Sequence, residues 1–186
     1  MENLERLFFR MRRIYLFLIC SNTILSKLIR KTTKAEFTHA SISLHDEIFP
    51  CYSFGRKYSK LVLPAGFKEE PFDSGFLKDN KNIKCGLFYI DVTDEQHDRA
   101  SRYIKSLQKS NKRLGFNFFG LLMCKFGKPV KRKHKMFCSE FVANTLNHCG
   151  VANFRNTSLV KPADLIDIPN CHCIYRGFVR DVINAI

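Results

Sequence analysis

Cys138 stands near the head of the segment MFCSEFVANTLNHCG, residues 136 to 150, and is one of eight cysteines in the chain. Phe137, Phe141, Val142, Leu146 and Cys149 recur at the spacing of one apolar helix face, and Gly150 suits the position just past a helix end. Cys138 therefore falls in the first turn of a predicted helix. Unpaired backbone N–H groups and the helix dipole there favour a thiolate over a thiol. The same N–H groups can receive the negative charge of a tetrahedral intermediate. The chemistry this points to is nucleophilic attack by sulfur on a carbonyl. The competing reading is that Cys138 is a small buried apolar residue, as free cysteines usually are.

A thiolate mechanism also needs an imidazole within hydrogen-bonding reach. Of six histidines, His45 falls in a turn, His97 in an acidic first helical turn and His134 within VKRKHK. His148 falls at a helix end and His172 between two cysteines. All five read as surface or end-capping residues. His39 differs: FTHASISLH alternates, with His39, Ser41 and Ser43 on one side of a predicted strand and Ala40, Ile42 and Leu44 on the other. A strand with one polar side is also what a solvated sheet edge looks like.

THASISL, then CYSFGRK, and much later FCSEFVANTL resemble the paired motifs of the permuted papain-like cysteine peptidase and amidase superfamily. This is the circularly permuted, NlpC-type branch, which also includes lecithin retinol acyltransferase-like proteins. The likeness is nearest to bacterial YiiX-like members, and it extends through IYLFLICSNTILSKLIRKTTKAEFTHASISL, LGFNFFGLL and SLVKPADL. In that branch the histidine strand precedes the cysteine helix, as His39 precedes Cys138 here. The resemblance implies Cys138 as nucleophile and His39 as general base. It also implies a third polar group on the next strand, where CYSFG offers Ser53 as an orienting residue or an ordinary strand serine. Neither a histidine, an asparagine nor an acid occupies that strand. The implied reaction is thiol hydrolysis of a peptide-like amide, or of a lipid ester with acyl transfer as the alternative. No cofactor and no metal are implied. A rival from another class is a non-catalytic binding module of the same fold.

The elements that must position these residues form an α+β pattern: a permuted papain-like (NlpC-type) fold with a small antiparallel sheet packed against helices. The predicted order begins with a basic amphipathic lead over 1–12 and a buried strand over 14–20. A helix capped by Ser21 or Thr23 follows, carrying Ile24, Leu25, Leu28 and Ile29. Strands at His39 and Cys51 come next. Residues 56–84, with Pro64 and Pro71, read as an irregular excursion. CGLFYIDV is a strand, and Thr93 with Gln96 forms a capping box for a helix carrying Ala100, Tyr103, Ile104 and Leu107. NFFGLLMCKF is apolar all round and predicts a buried helix before Gly127. After the Cys138 helix come a short helix beyond Pro162 and a last strand, CIYRGF, so that helices gather towards both ends. One domain over 1–186 is expected, since no repeat or low-complexity linker interrupts the chain.

Charge bounds the partners. The net charge of +14 favours an anionic substrate, an anionic polymer or an acidic membrane surface. The run KFGKPVKRKHK, residues 125 to 135, holds six lysines and arginines and no acid, and is expected to flank the cleft. It lacks interleaved stacking aromatics, so nucleic acid is not the expected partner. CHC at 171–173 lacks the paired spacing of a structural zinc site. Irregularly scattered cysteines without a clear leader favour reduced thiols and a cytoplasmic location, although RMRRIYLFLICSNT shares features with the core of an export signal.

Overall fold

The computed structural model describes residues 11–21, 35–57, 64–110 and 114–185. The expected helix carrying Ile24 to Ile29, and all but the end of the basic lead, lie outside these residues.

The strands are β1 (Arg12–Ile19), β2 (His39–Ser43), β3 (Cys51–Arg56), β4 (Ala65–Glu70), β5 (Lys84–Val92), β6 (Gly115–Phe116), β7 (Lys135–Met136) and β8 (Cys171–Phe178). The helices are α1 (Gly75–Asp79), α2 (Asp94–Gln108), α3 (Phe118–Lys125) and α4 (Cys138–His148). The strands form one sheet in the order β7-β6-β4-β3-β2-β1-β5-β8, antiparallel throughout except for the short parallel pair β6–β7. The fold is α+β, with a mixed, mostly antiparallel sheet packed against helices.

β1 reads as a nearly unbroken apolar run because both its faces are covered. Ile14, Leu16 and Leu18 join Ala40, Ile42 and Phe54 in a core completed by Ala100 and Ile104 of α2 and Phe141, Val142 and Leu146 of α4. Tyr15, Phe17 and Ile19 belong to a second core with Cys51, Leu87, Leu77 of α1, and Val179 and Val182 near the C-terminus. The capping box of α2 forms as its sequence predicts: the Gln96 N–H donates to Thr93 Oγ1 at 3.2 Å and the Thr93 N–H to Gln96 Oε1 at 3.0 Å.

Two expectations are corrected. The stretch 56–84 is not irregular throughout, because Ala65–Glu70 pairs along the whole of β3 and Gly75–Asp79 is helical. The helices α1 to α4 all fall between Gly75 and His148, and the short helix expected after Pro162 is a 3-10 turn over Ala163–Leu165. The second correction is α3, which is not buried. Gly120 and Cys124 face inward, but Phe119 and Leu122 are 52% and 51% exposed and Phe126, at the helix end, is 61% exposed. Among the described residues, no helix is long and apolar enough to cross a membrane.

Candidate active site

β2 lies inside the sheet between β1 and β3, so its polar side is buried and not solvated. Ser41 and Ser43 are almost completely inaccessible, and each hydroxyl has a partner: Ser41 donates to the Glu70 carboxylate and Ser43 to the Pro50 carbonyl. His39 opens the strand where it meets α4. Its Nε2 lies 2.9 Å from Glu70 Oε1 and 3.2 Å from Oε2. With Nε2 committed to the carboxylate, Nδ1 is the nitrogen left for a further partner. The Cys138 thiol also shares a hydrogen bond with the ring.

Cys138 is the first residue of α4, and the preceding Phe137 has extended backbone. The Phe137 N–H donates to Glu140 Oε2 at 3.3 Å, which fixes the entry of the chain into the helix. Ser139 donates its hydroxyl to the Val160 carbonyl at 2.7 Å and ties the same turn to the loop ahead of Lys161. The nucleophile candidate is thus held from both sides by local hydrogen bonds.

The electrostatics follow from these contacts. Burial opposes charge on His39, but the Glu70 carboxylate and the hydrogen bond with Cys138 outweigh it and lift the imidazole to about 10. Burial likewise opposes a Cys138 thiolate. The His39 hydrogen bond and charge, with the backbone N–H groups of Ala40 and Ser139, overcome that and leave the thiol below its ordinary value. Glu70 is also buried, yet His39 and Lys68 hold its carboxyl well below the carboxylate range; Lys68 Nζ sits 2.9 Å from Oε1. A buried carboxylate accepting from a cation, an imidazole and a hydroxyl is compensated where an unpaired one would not be.

Cys138 and His39 are therefore brought together across the long sequence separation. Ser53 is not part of their contact: its hydroxyl donates to the Ala40 carbonyl at 2.7 Å and the residue is fully buried. It braces the backbone beside His39, while the group on the ring is Glu70, one strand further along. Sequence reasoning missed Glu70 and Lys68. The available signal was the alternation in AGFKEE, in which Gly66, Lys68 and Glu70 fall on one side of β4. Between β2 and β4 the intervening strand carries Gly55. A methyl group there would lie 3.3 Å from Lys68 Cε and 3.5 Å from His39 Cε1.

The other described histidines stand apart from the thiol. His45 bonds the Tyr52 hydroxyl, His148 stacks on Tyr103 and His172 lies against Tyr89. His97 corrects the expectation of a surface residue: it is buried, its Nε2 donates to the Leu44 carbonyl at 3.1 Å, and burial lowers its pKa. The eight cysteines form no disulfide, and among the described residues no cluster of ligating side chains could hold a metal ion. Cys138 lines a small cleft of about 60 Å³, together with Phe37, Leu121, Phe137, Val160 and Pro162 and with Lys125 and Lys161. No protein-family model matches this chain, and no curated protein matches it.

Proposed function

We propose that the protein is a thiol hydrolase of the permuted papain-like, NlpC-type fold. The observation that carries this reading is the contact chain Cys138–His39–Glu70, with the thiol at a helix start and lowered while the imidazole is raised. The Cys138 thiolate attacks an amide or ester carbonyl, and its sulfur forms a bond to the acyl carbon. The oxyanion is stabilised by N–H groups of the first turn of α4. His39, already protonated, gives its proton to the leaving amine or alcohol, and a thioester acyl-enzyme remains. His39 then takes a proton from water as that water attacks the thioester, which releases the acid and restores the ion pair. Glu70 holds the ring by Nε2 throughout and supports its positive charge, the part Ser53 was expected to play.

Peptide-like amides are the preferred substrates, following the sequence resemblance. The apolar border of the cleft supports a second reading, transfer or hydrolysis of an apolar acyl group from an ester. The test is incubation with thiol-directed acylating probes, followed by intact-mass and peptide mapping. A single adduct on Cys138, absent after His39→Ala and accompanied by turnover of an activated acyl ester or amide, is the expected result. Even labelling of several cysteines, with turnover unchanged by Cys138→Ala, would hand the molecule to the binding-module reading.

A further inference from the structure

The outer side of α3 is the least expected surface of the molecule. Phe118, Phe119, Leu122 and Phe126 recur at i, i+1, i+4 and i+8, and all four are exposed, from 37% for Phe118 to 61% for Phe126. An apolar cluster of this kind on a surface calls for a partner. What surrounds it states the partner's charge. The basic segment that follows the helix folds back along it: Lys128 N–H donates to the Met123 carbonyl at 3.1 Å. Asn117 Nδ2 donates to the Val130 carbonyl at 3.0 Å, and the Gly115 N–H to the His134 carbonyl at 3.0 Å. Gly120 permits this return, since a side chain there would meet the Asn117 amide and the Val130 carbonyl. Lys125, Lys128, Lys131, Arg132 and Lys133 are all exposed, Lys125 Nζ lies 5.4 Å from the centre of the Phe126 ring, and no acidic residue occurs between Lys109 and Ser139.

We infer that α3 and the basic return of 128–133 form a docking face for an anionic phospholipid surface. The apolar side chains enter the boundary between headgroups and acyl chains, and the lysines and Arg132 lie on the headgroups. Aromatic and leucine side chains beside lysine and arginine are the composition by which a short helix lies in a membrane interface, and neither signal alone holds a protein there firmly. A second copy of this chain is a poor occupant, because symmetric pairing would set one basic patch against another. Leu121 and Lys125 of the same helix border the cleft at Cys138, so docking brings that cleft to the interface. The docking face itself does not depend on the chemistry proposed for Cys138.

The experiment is vesicle flotation of the full chain with phosphatidylcholine vesicles, with and without phosphatidylglycerol. Binding is expected only with the anionic lipid and should fall with added salt. Phe119→Ser/Leu122→Ser/Phe126→Ser should weaken it by about tenfold or more. Lys128→Glu/Lys131→Glu/Lys133→Glu should remove the preference for phosphatidylglycerol. The chain contains no tryptophan, so Leu122→Trp gives a single indole whose emission should shift to the blue when vesicles are added. Equal binding by the triple serine variant, or no shift on vesicle binding, overturns insertion. A blue shift that grows with protein concentration in the absence of vesicles would assign the face to a second copy and overturn the proposal. Cys138→Ala should float like the wild type, so loss of activity and loss of docking are read separately.

Discussion

Cys124 and Cys138 border one cleft and are equally hidden, each 5% exposed, yet they are opposite kinds of sulfur. Cys124 lies in the last turn of α3 and Cys138 in the first turn of α4. Burial raises the Cys124 thiol, and Lys161 only partly opposes it against Asp164, Glu140 and Cys138. The same burial acts on Cys138 but is overcome by an imidazolium and two backbone N–H groups. Accessibility therefore does not distinguish the two thiols; their electrostatic surroundings do. What differs is the end of the helix and the presence of His39, since a helix start presents N–H groups and a helix end presents carbonyls. Cys51, Cys85, Cys149 and Cys171 follow Cys124, all raised chiefly by burial, Cys85 to about 12.

The contrast should break most completely when its own members are exchanged. Cys138→Ala should abolish acyl-enzyme formation, with a loss in turnover of roughly 10⁴-fold or more. Cys124→Ala should leave turnover within about threefold, because it removes only a small apolar group. Iodoacetamide at mildly acidic pH, followed by peptide mapping, should modify Cys138 first and Cys124 far more slowly. Similar alkylation rates at the two sulfurs would mean that the ion pair does not form.

Removing the charge behind His39 should have the next largest effect. Glu70→Gln keeps the shape and withdraws the main support for the imidazolium, so turnover should fall by roughly 10²- to 10³-fold. The His39 pKa is raised to about 10, and the alkaline limb of Cys138 alkylation should move to lower pH in this variant. A limb that stays in place would show that Glu70 has only a packing role. The same groups give stability a pH window. The raised imidazole contributes stability that is complete below its ordinary value of ~6.5 and disappears as pH rises through about 10. The depressed Glu70 carboxyl contributes stability that is present above its ordinary value of ~4.5 and is lost as pH falls below it. Denaturant titrations should therefore find wild type most stable between these limits, and Glu70→Gln flatter at both edges.

Ser53→Ala should produce the smallest change. It leaves the Ala40 carbonyl without its side-chain donor, which costs about 1–2 kcal/mol of stability. Turnover should fall only a few fold, with no change in the pH profile, because the ring keeps Glu70. A shifted profile would return Ser53 to the role its position in CYSFG first implied.

Cys138 and His39 were legible in the sequence as candidates because each follows a local rule. An apolar helix period places Cys138 at a helix start, and strict alternation marks His39 on a strand. Glu70 obeys no such rule. Its strand is short, lies between Pro64 and Pro71, and reads FKEE where a buried strand would be apolar; its burial depends on His39, Ser41 and Lys68 arriving from elsewhere in space. For α3, periodicity failed in the opposite way. A helix apolar all round is normally buried all round, and only the packed chain reveals that one side has no cover.

Gly55 adds something that no list of reactive side chains contains. β3 runs between β2 and β4, and it is at this glycine that the His39 ring and the Lys68 stem both come within 4 Å of where a side chain would begin. The histidine and the carboxylate come from strands that are not neighbours, and they meet over a bare stretch of the strand between them. A longer side chain there would press on both, so the bare stretch of the middle strand is what leaves room for the imidazole and the lysine stem to share one place.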